Sequence, residues 1–175
     1  MEPQIVERDR MTLVGMGYYG PLSGEGWSAE NPIGQLWQRF NRFWDAKSEL
    51  IADRVVGPKA AYEVAIWNEE EYQATKSFYV FVGVEVKCLD EVPLELVSKI
   101  LPASTYALFT PAGKEITTWE NTVYNEWLPE SGFELASFHD CHFQIQCYEE
   151  GRFKGLGELL EESEIDVYVP LSQKE

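Results

Sequence analysis

Glu63 and Glu85 are the acidic residues most suited to chemistry here, because each lies among aromatic residues in a stretch that alternates like a β-strand. Successive strand residues point to opposite faces, so Glu63 shares a face with Trp67. By the same rule, Glu85 shares a face with Tyr79 and Phe81. A carboxylate beside aromatic rings attracts a cation, and cation–π contacts add about 0.5–2 kcal/mol. The alternative is that both glutamates are ordinary solvated residues of a sheet surface.

A second cluster of reactive side chains lies in residues 139–147, which contain two histidines and two cysteines. If this stretch is a strand, His142 points away from His139 and Cys141. Cys141 and Cys147 then lie roughly 20 Å apart, whereas zinc ligands converge within about 2–2.3 Å of the metal. We therefore predict no metal site and no cofactor.

The stretches that carry Glu63 and Glu85 should form a hairpin, because a short acidic turn joins them. Alternate apolar residues on each stretch are expected to pack beneath helices. The opposite faces, which hold the two glutamates with Trp67, Tyr79 and Phe81, are expected to match across the hairpin. An aromatic sheet face without a helical cover predicts a binding surface.

The second half of the chain contributes further residues to this predicted surface. Residues 104–132 indicate a strand, a tight glycine turn and a helix, with Tyr106 in the strand and Trp127 late in the helix. A later alternating stretch places Gln146 and Tyr148 on a polar-aromatic face. The predicted ligand lining comprises Glu63, Trp67, Tyr79, Phe81, Glu85, Tyr106, Trp127, Gln146 and Tyr148.

Both predicted helices carry sequence signals for their first turns. Asn31 can cap the first helix, and Pro32 suits its first position. Thr117 and Glu120 fit a capping box at the start of the second helix.

The order of elements predicts an internal duplication. A strand at residues 11–21, a helix from about Asn31 and two further strands repeat in the second half, so the repeats are expected at about 5–88 and 102–172. The predicted fold class is α+β, with strand–helix–strand–strand units in an antiparallel sheet of about eight strands. We place two main helices on one face and the ligand groove on the other. One domain, 1–175, is expected to hold both repeats.

Charge and composition limit the partners of this chain. The formal net charge of −16 disfavours phosphate backbones and anionic membrane surfaces, so direct nucleic-acid binding is not expected. No apolar run approaches the roughly 20 residues of a membrane span, and the charged start lacks a signal-peptide core. Three cysteines give no disulfide framework, so we predict a cytoplasmic protein.

Seven motifs stand out along the chain: GMGYYGP, IGQLWQRF, YVFVGVEV, LPASTYALFTPAGK, NEWLPESGFEL, IQCYE and DVYVPL. In order and spacing they resemble the GyrI-like effector-binding domain, the small-molecule-binding module of bacterial multidrug-responsive regulators and of a gyrase-inhibitory protein. The resemblance implies a duplicated fold with a central ligand groove. Because few residues precede the first predicted strand, we expect a stand-alone member.

The resemblance also draws attention to one missing acid. The family often has a Glu-x-Tyr-Asp run in its second-half strand, and that Glu serves as the buried acid for cationic drugs. Here the corresponding run begins at Gln146, followed by Cys147, Tyr148 and Glu149. If cations are bound, the charge would have to come from Glu63 or Glu85.

The sequence is compatible with three functions. The first is a stand-alone protein that binds flat aromatic drugs or toxins, cationic ones included. The second, implied by some stand-alone relatives, is a hydrolase that opens the cyclopropane ring of DNA-alkylating compounds. In that enzyme Glu85 would be the base, Tyr148 or Tyr106 would donate a proton, and Gln146 would orient the substrate. The third is an acidic monomer or dimer that inhibits a gyrase-like enzyme.

Overall fold

The computed structural model describes residues 1–22 and 29–174, and this part of the chain contains a nine-stranded antiparallel sheet with helices. The strands are β1 (Gln4–Arg8), β2 (Met11–Pro21), β3 (Ala60–Trp67), β4 (Ser77–Glu85), β5 (Val97–Leu101), β6 (Ser104–Phe109), β7 (Phe133–Leu135), β8 (His142–Glu149) and β9 (Asp166–Gln173). The regular helices are α1 (Pro32–Lys47) and α2 (Glu69–Thr75), and short 3₁₀ turns occur at Ser48–Leu50, Ala52–Arg54 and Gly157–Glu162. The predicted α+β fold class is confirmed.

Residues 113–130 form what we call the second helical segment. Its four consecutive pieces are a 3₁₀ turn (Gly113–Thr117), an α turn (Trp119–Asn121), a π turn (Thr122–Trp127) and a final α turn (Leu128–Glu130). The predicted capping box at Thr117 is wrong, because Thr117 ends the 3₁₀ turn, Thr118 precedes the α turn, and no side chain among the described residues caps that turn. The Thr117 hydroxyl instead donates to the Lys114 carbonyl at 2.9 Å. Glu120 is thereby left available for a contact elsewhere.

The sheet is strongly curled, as its strand order shows. The order is β1-β6-β9-β8-β3-β4-β2-β5, and β7 pairs beside β9. Only Asp9 and Arg10 separate β1 from β2 in the chain, although six strand spacings of about 4.8 Å, or roughly 29 Å, would separate them in a flat sheet. The two ends of the open sheet must therefore approach each other.

The pairing of β3 with β4 differs by one residue from the predicted match of faces. Glu63 lies opposite Val82, and Val64 lies opposite Phe81. The link between the strands is the helix α2, with Lys76 in the left-handed region at φ 58°, and not a tight turn that would fix the predicted register. A shift of one residue puts Glu63 and Glu85 on opposite faces of the sheet.

The helices α1 and the second helical segment cover separate parts of one face. The Asn31 side chain caps α1 by accepting from the Gly34 amide at 2.9 Å, and Pro32 begins the helix, as predicted. The helix α1 packs Leu36, Phe40 and Phe43 against the sheet. The strand residues in this cluster include Val14 of β2 and Val80, Val82 and Val84 of β4. The second segment buries Ile116, Trp119 and Val123 against Ala107, Val167 and Val169. The central strands β3 and β8 lie between these two packed regions.

The other face of the sheet is filled by its own side chains. Its buried cluster contains Met11, Leu13, Tyr62, Val64, Phe81, Leu101, Tyr106, Phe143, Ile145 and Cys147. The prediction that a groove would occupy this helix-free face is therefore wrong, because curling of the sheet brings apolar side chains from both of its ends together there.

The strand–helix–strand–strand order occurs in both halves of the described chain. The duplication itself stays a prediction, and so does the single domain over 1–175. In the part of the chain that the structure describes, we find no helix whose length and hydropathy would let it cross a bilayer.

Candidate functional site

A cavity of about 730 Å³ lies between α1 and the second helical segment, with β3, β4 and β8 as its floor. This volume is within the range of small-molecule sites, about 300–1,000 Å³. Described residues that line it include Asn31, Ile33, Trp37, Asn41, Glu63, Ala65, Phe78, Val80, Ile116, Trp119, Glu120, Gln144, Gln146, Tyr148, Phe153 and Leu156. Of the predicted lining, Glu63, Gln146 and Tyr148 meet here.

Glu63 is the buried acid of this cavity, with 4% of the residue exposed. It lies on β3 directly opposite Gln146 of β8. Its carboxylate accepts from Trp37 Nε1 at 2.6 Å and from Gln146 Nε2 at 3.2 Å. Burial raises the pKa of Glu63 to about 7; the Trp37 bond opposes this rise, and the nearby charge of Glu120 adds to it.

A hydroxyl group holds Gln146 in the orientation that serves Glu63. Tyr148 OH donates to Gln146 Oε1 at 3.1 Å, so the amide oxygen is occupied and the NH₂ group faces the carboxylate. We call this chain of contacts the Glu63 relay. Tyr148 is buried, and desolvation raises its pKa well above the usual value, so it remains a neutral donor at physiological pH.

A second relay of the same composition lies two residues earlier on β8. Tyr124 OH donates to Gln144 Oε1, and Gln144 Nε2 donates to Glu120 Oε1 at 3.1 Å. We call this the Glu120 relay. It joins the second helical segment to the cavity floor and points a carboxylate of that segment towards the cavity.

Aromatic side chains form part of the cavity wall. The rings of Trp37 and Tyr148 meet edge to face with centroids 5.1 Å apart, and those of Tyr148 and Phe153 do so at 4.9 Å. Trp119 lines the cavity from the second helical segment and is buried. Edge-to-face pairs contribute about 0.5–1.5 kcal/mol beyond the burial of their area, so Trp37, Tyr148 and Phe153 form one connected aromatic part of the cavity lining.

The cavity carries negative charge without a compensating cation in the described chain. Neither Glu63 nor Glu120 takes part in an ion pair among the described residues. The described lining includes no lysine or arginine, and residues 23–28 and 175 contain none either. A cationic ligand would therefore meet no repelling side chain from the described lining.

Four predicted site residues lie on the opposite face of the sheet. Tyr79, Phe81 and Tyr106 belong to, or pack against, the buried cluster there. Glu85 forms an ion pair with Arg8 at 3.2 Å, and both side chains are about one-fifth exposed, at 18% and 22% respectively. The structure thus does not bring these residues together with Glu63, and the guanidinium of Arg8 already compensates the charge of Glu85.

The two predicted tryptophans occupy other positions. Trp67 is on the same face as Glu63 but packs against Tyr124 and His142, with centroid distances of 6.5 and 5.8 Å. Trp127 packs edge to face on Phe109 at 5.3 Å, beneath the second helical segment. Neither is among the cavity-lining residues that the structure describes.

Most of the described lining was not predicted, and four of the missing residues matter most for the site: Trp37, Trp119, Glu120 and Gln144. Trp37 lies in an apolar stripe of α1, a pattern typical of core residues, and Glu120 was predicted only as part of a capping box. Gln144 shares the face of Gln146 by strand alternation, so parity was a usable signal. Trp119 had no signal to distinguish a lining residue from a core residue.

The chain is similar in sequence to one curated regulator and in fold to several solved structures. The chain is 31% identical over 173 residues to the transcriptional regulator BrlR of Pseudomonas aeruginosa. The aligned residues cover 98% of this chain and 56% of BrlR. The chain thus spans little more than half the length of this curated relative. The fold is similar to that of SAV2435 bound to tetraphenylphosphonium, with a TM-score of 0.69 and 17% identity over 98% of this chain and 94% of that one. The EcmrR C-terminal domain gives a TM-score of 0.64 at 14% identity, covering 99% of this chain and 98% of that one.

A protein-family match spans nearly the whole chain. Residues 4–171 match the family described as Cass2, integron-associated effector binding protein. Because the match covers the strands of the cavity floor and both helical walls, the chain belongs to this family of effector-binding proteins, as its motifs predicted.

Proposed function

We propose that this protein binds flat, aromatic, positively charged small molecules between α1 and the second helical segment, with Glu63 as the countercharge. The observation that carries the proposal is a buried carboxylate with neutral hydrogen-bond donors and no cationic partner among the described residues. Small-molecule binding in general agrees with the effector-binding family.

The energetic argument concerns the cost of burying a charge. Removing an ionised carboxylate from water is costly unless an opposite charge accompanies it. Trp37 and Gln146 offset part of that cost, but the pKa of Glu63 is still raised to about 7. A cationic ligand would supply the missing charge and return Glu63 to its ionised form.

The shape of the ligand is inferred from the walls. Aromatic residues line the cavity, so flat aromatic groups would contact their rings with cation–π attraction of about 0.5–2 kcal/mol; they include Trp37, Trp119, Tyr148 and Phe153. SAV2435, whose fold is similar, is described as bound to tetraphenylphosphonium. This ligand is an aromatic cation but is tetrahedral at phosphorus, so it supports the positive charge and aromatic character of the proposed ligand and not its flatness.

Titration with tetraphenylphosphonium and with a planar cationic dye tests the proposal through quenching of tryptophan fluorescence. We expect Glu63→Gln to weaken binding by roughly 10- to 100-fold at pH 8, because the buried countercharge is lost. Glu130→Gln is the matched control, since Glu130 is an exposed residue of the second helical segment outside the lining. Equal affinities of Glu63→Gln and wild type would refute the role of Glu63.

Hydrolysis is a second candidate, favoured by the one carboxylate of raised pKa inside the described cavity. The expected base, Glu85, pairs with Arg8 on the other face, so the base would instead be Glu63. Incubation with a cyclopropane-containing DNA alkylator, followed by mass spectrometry, tests this role. A product heavier by one water, formed by wild type and not by Glu63→Gln, would support catalysis, and its absence would leave binding alone.

A further inference from the structure

We propose that the cavity prefers compounds with two positive charges, one placed at Glu63 and the other at Glu120. This inference rests on the proposed function and narrows its ligand class. It is carried by the two relays, which direct one carboxylate from the floor strand β3 and one from the second helical segment into the same cavity.

The Glu120 relay shows why this second acid belongs to the cavity. Glu120 is an exposed residue of the second helical segment, and a carboxylate in such a place normally points to solvent. Here Gln144, which is 5% exposed, holds it at 3.1 Å, and Tyr124 occupies the amide oxygen of Gln144. The glutamine can therefore offer only its NH₂ group to Glu120, which ties the carboxylate to the cavity floor.

The two relays also set a distance scale. Gln144 and Gln146 lie two residues apart on the same face of β8, so the bases of the relays are about 7 Å apart. Each glutamine donates to one carboxylate. A ligand with positive groups separated by a comparable distance could contact both acids, whereas a single charge seated at Glu63 would leave Glu120 without a countercharge.

The electrostatic setting favours the second positive charge. The described lining holds Glu63 and Glu120 but no lysine or arginine. Glu120 is at the rim of the cavity, where water screens its charge more than it screens Glu63. We therefore expect a moderate gain in affinity from the second charge, about three- to tenfold.

A pair of aromatic amines that differ by one charge provides the test. 1,4-Bis(aminomethyl)naphthalene is the dication, and 1-(aminomethyl)-4-methylnaphthalene is the monocation with the same ring. Calorimetric titration of wild type should show the dication bound about three- to tenfold more tightly. Glu120→Gln should abolish this ratio, and Tyr124→Phe should reduce it, because Gln144 is then free to turn. Glu130→Gln should preserve the ratio, although it removes the same net charge.

The outcomes separate the inference from the proposed function. Equal binding of the two amines to wild type, or a ratio that survives in Glu120→Gln, overturns the second-charge inference while the Glu63 site stands. A monocation that binds wild type and Glu63→Gln equally, or fails to bind wild type at all, overturns both. A ratio lost equally in Glu130→Gln would show a general effect of net charge and also overturns the inference.

Discussion

The affinity of the protein for an aromatic cation should depend on pH through Glu63. In the free protein the pKa of Glu63 is raised to about 7, chiefly by burial, so about half of the molecules carry a neutral Glu63 at that pH. A bound cation would favour the ionised form. Binding at low pH must therefore first remove a proton, and the apparent affinity falls as pH falls through 7.

The size of the effect follows from the pKa. With a free-protein pKa of about 7, the ionised fraction drops from about 0.9 at pH 8 to about 0.01 at pH 5. The apparent affinity should thus fall about 90-fold over this range, which corresponds to about 2.7 kcal/mol. At pH 7, binding should release about half a proton.

Calorimetry in two buffers of different ionisation enthalpy measures both quantities, with tetraphenylphosphonium as a ligand whose own charge does not titrate. Glu63→Gln should bind weakly and with little dependence on pH. A wild-type affinity that stays constant between pH 5.5 and 8, or a dependence that persists in Glu63→Gln, would refute the assignment of the proton to Glu63.

Three further predictions concern stability and the position of the site. Because the folded-state pKa of Glu63 is raised, its contribution to stability is greatest below its unfolded pKa of about 4.5 and is lost as pH rises through 7. In urea unfolding, the free energy of unfolding of Glu63→Gln should therefore rise by about 2–3 kcal/mol relative to that of wild type between pH 5 and pH 8. Trp37→Phe removes a hydrogen-bond donor to Glu63, so the pKa of Glu63 should rise and the affinity for a cation at pH 7 should fall about fivefold. An unchanged affinity would contradict the role of the indole. Glu85→Gln breaks the pair with Arg8 and should cost about 1–3 kcal/mol in urea unfolding while cation affinity changes less than twofold; a large loss of affinity would contradict the placement of Glu85 on the far face.

Local signals in the sequence predicted local structure well. Asn31 and Pro32 mark the start of α1 because a capping oxygen and a fixed φ act within one turn of chain. Alternation likewise placed Gln146 and Tyr148 on one face of β8, since side-chain parity is a property of the strand itself. The family motifs predicted the fold class and effector binding, because their order and spacing along the chain resemble those of the effector-binding family.

The candidate site was harder to predict, because it depends on which strand faces become neighbours. Side-chain parity within β3 and within β4 was predicted correctly. Their relative register is not a property of either strand alone, and the link between them is the helix α2 and not a tight turn that would set it. That shift of one residue moved Glu85, Tyr79 and Phe81 away from Glu63. The curl of the sheet is similarly long-range in origin, and it decided which face was filled and which kept a cavity.

Because β3 pairs with β8 at Glu63, a ligand bound there should stabilise the contact between the two halves of the chain. Glu63 and Gln146 are 83 residues apart in the chain, and their hydrogen bond exists only while the two halves are joined along these strands. A ligand held there would resist separation of the halves as well as opening of a single loop. At a ligand concentration of 100 times Kd, this linkage would add about 2.7 kcal/mol to the free energy of every opening that parts the two strands. Slower hydrogen exchange should therefore appear along the full length of β3 and β8, so that their amides report on occupancy even at positions no ligand touches.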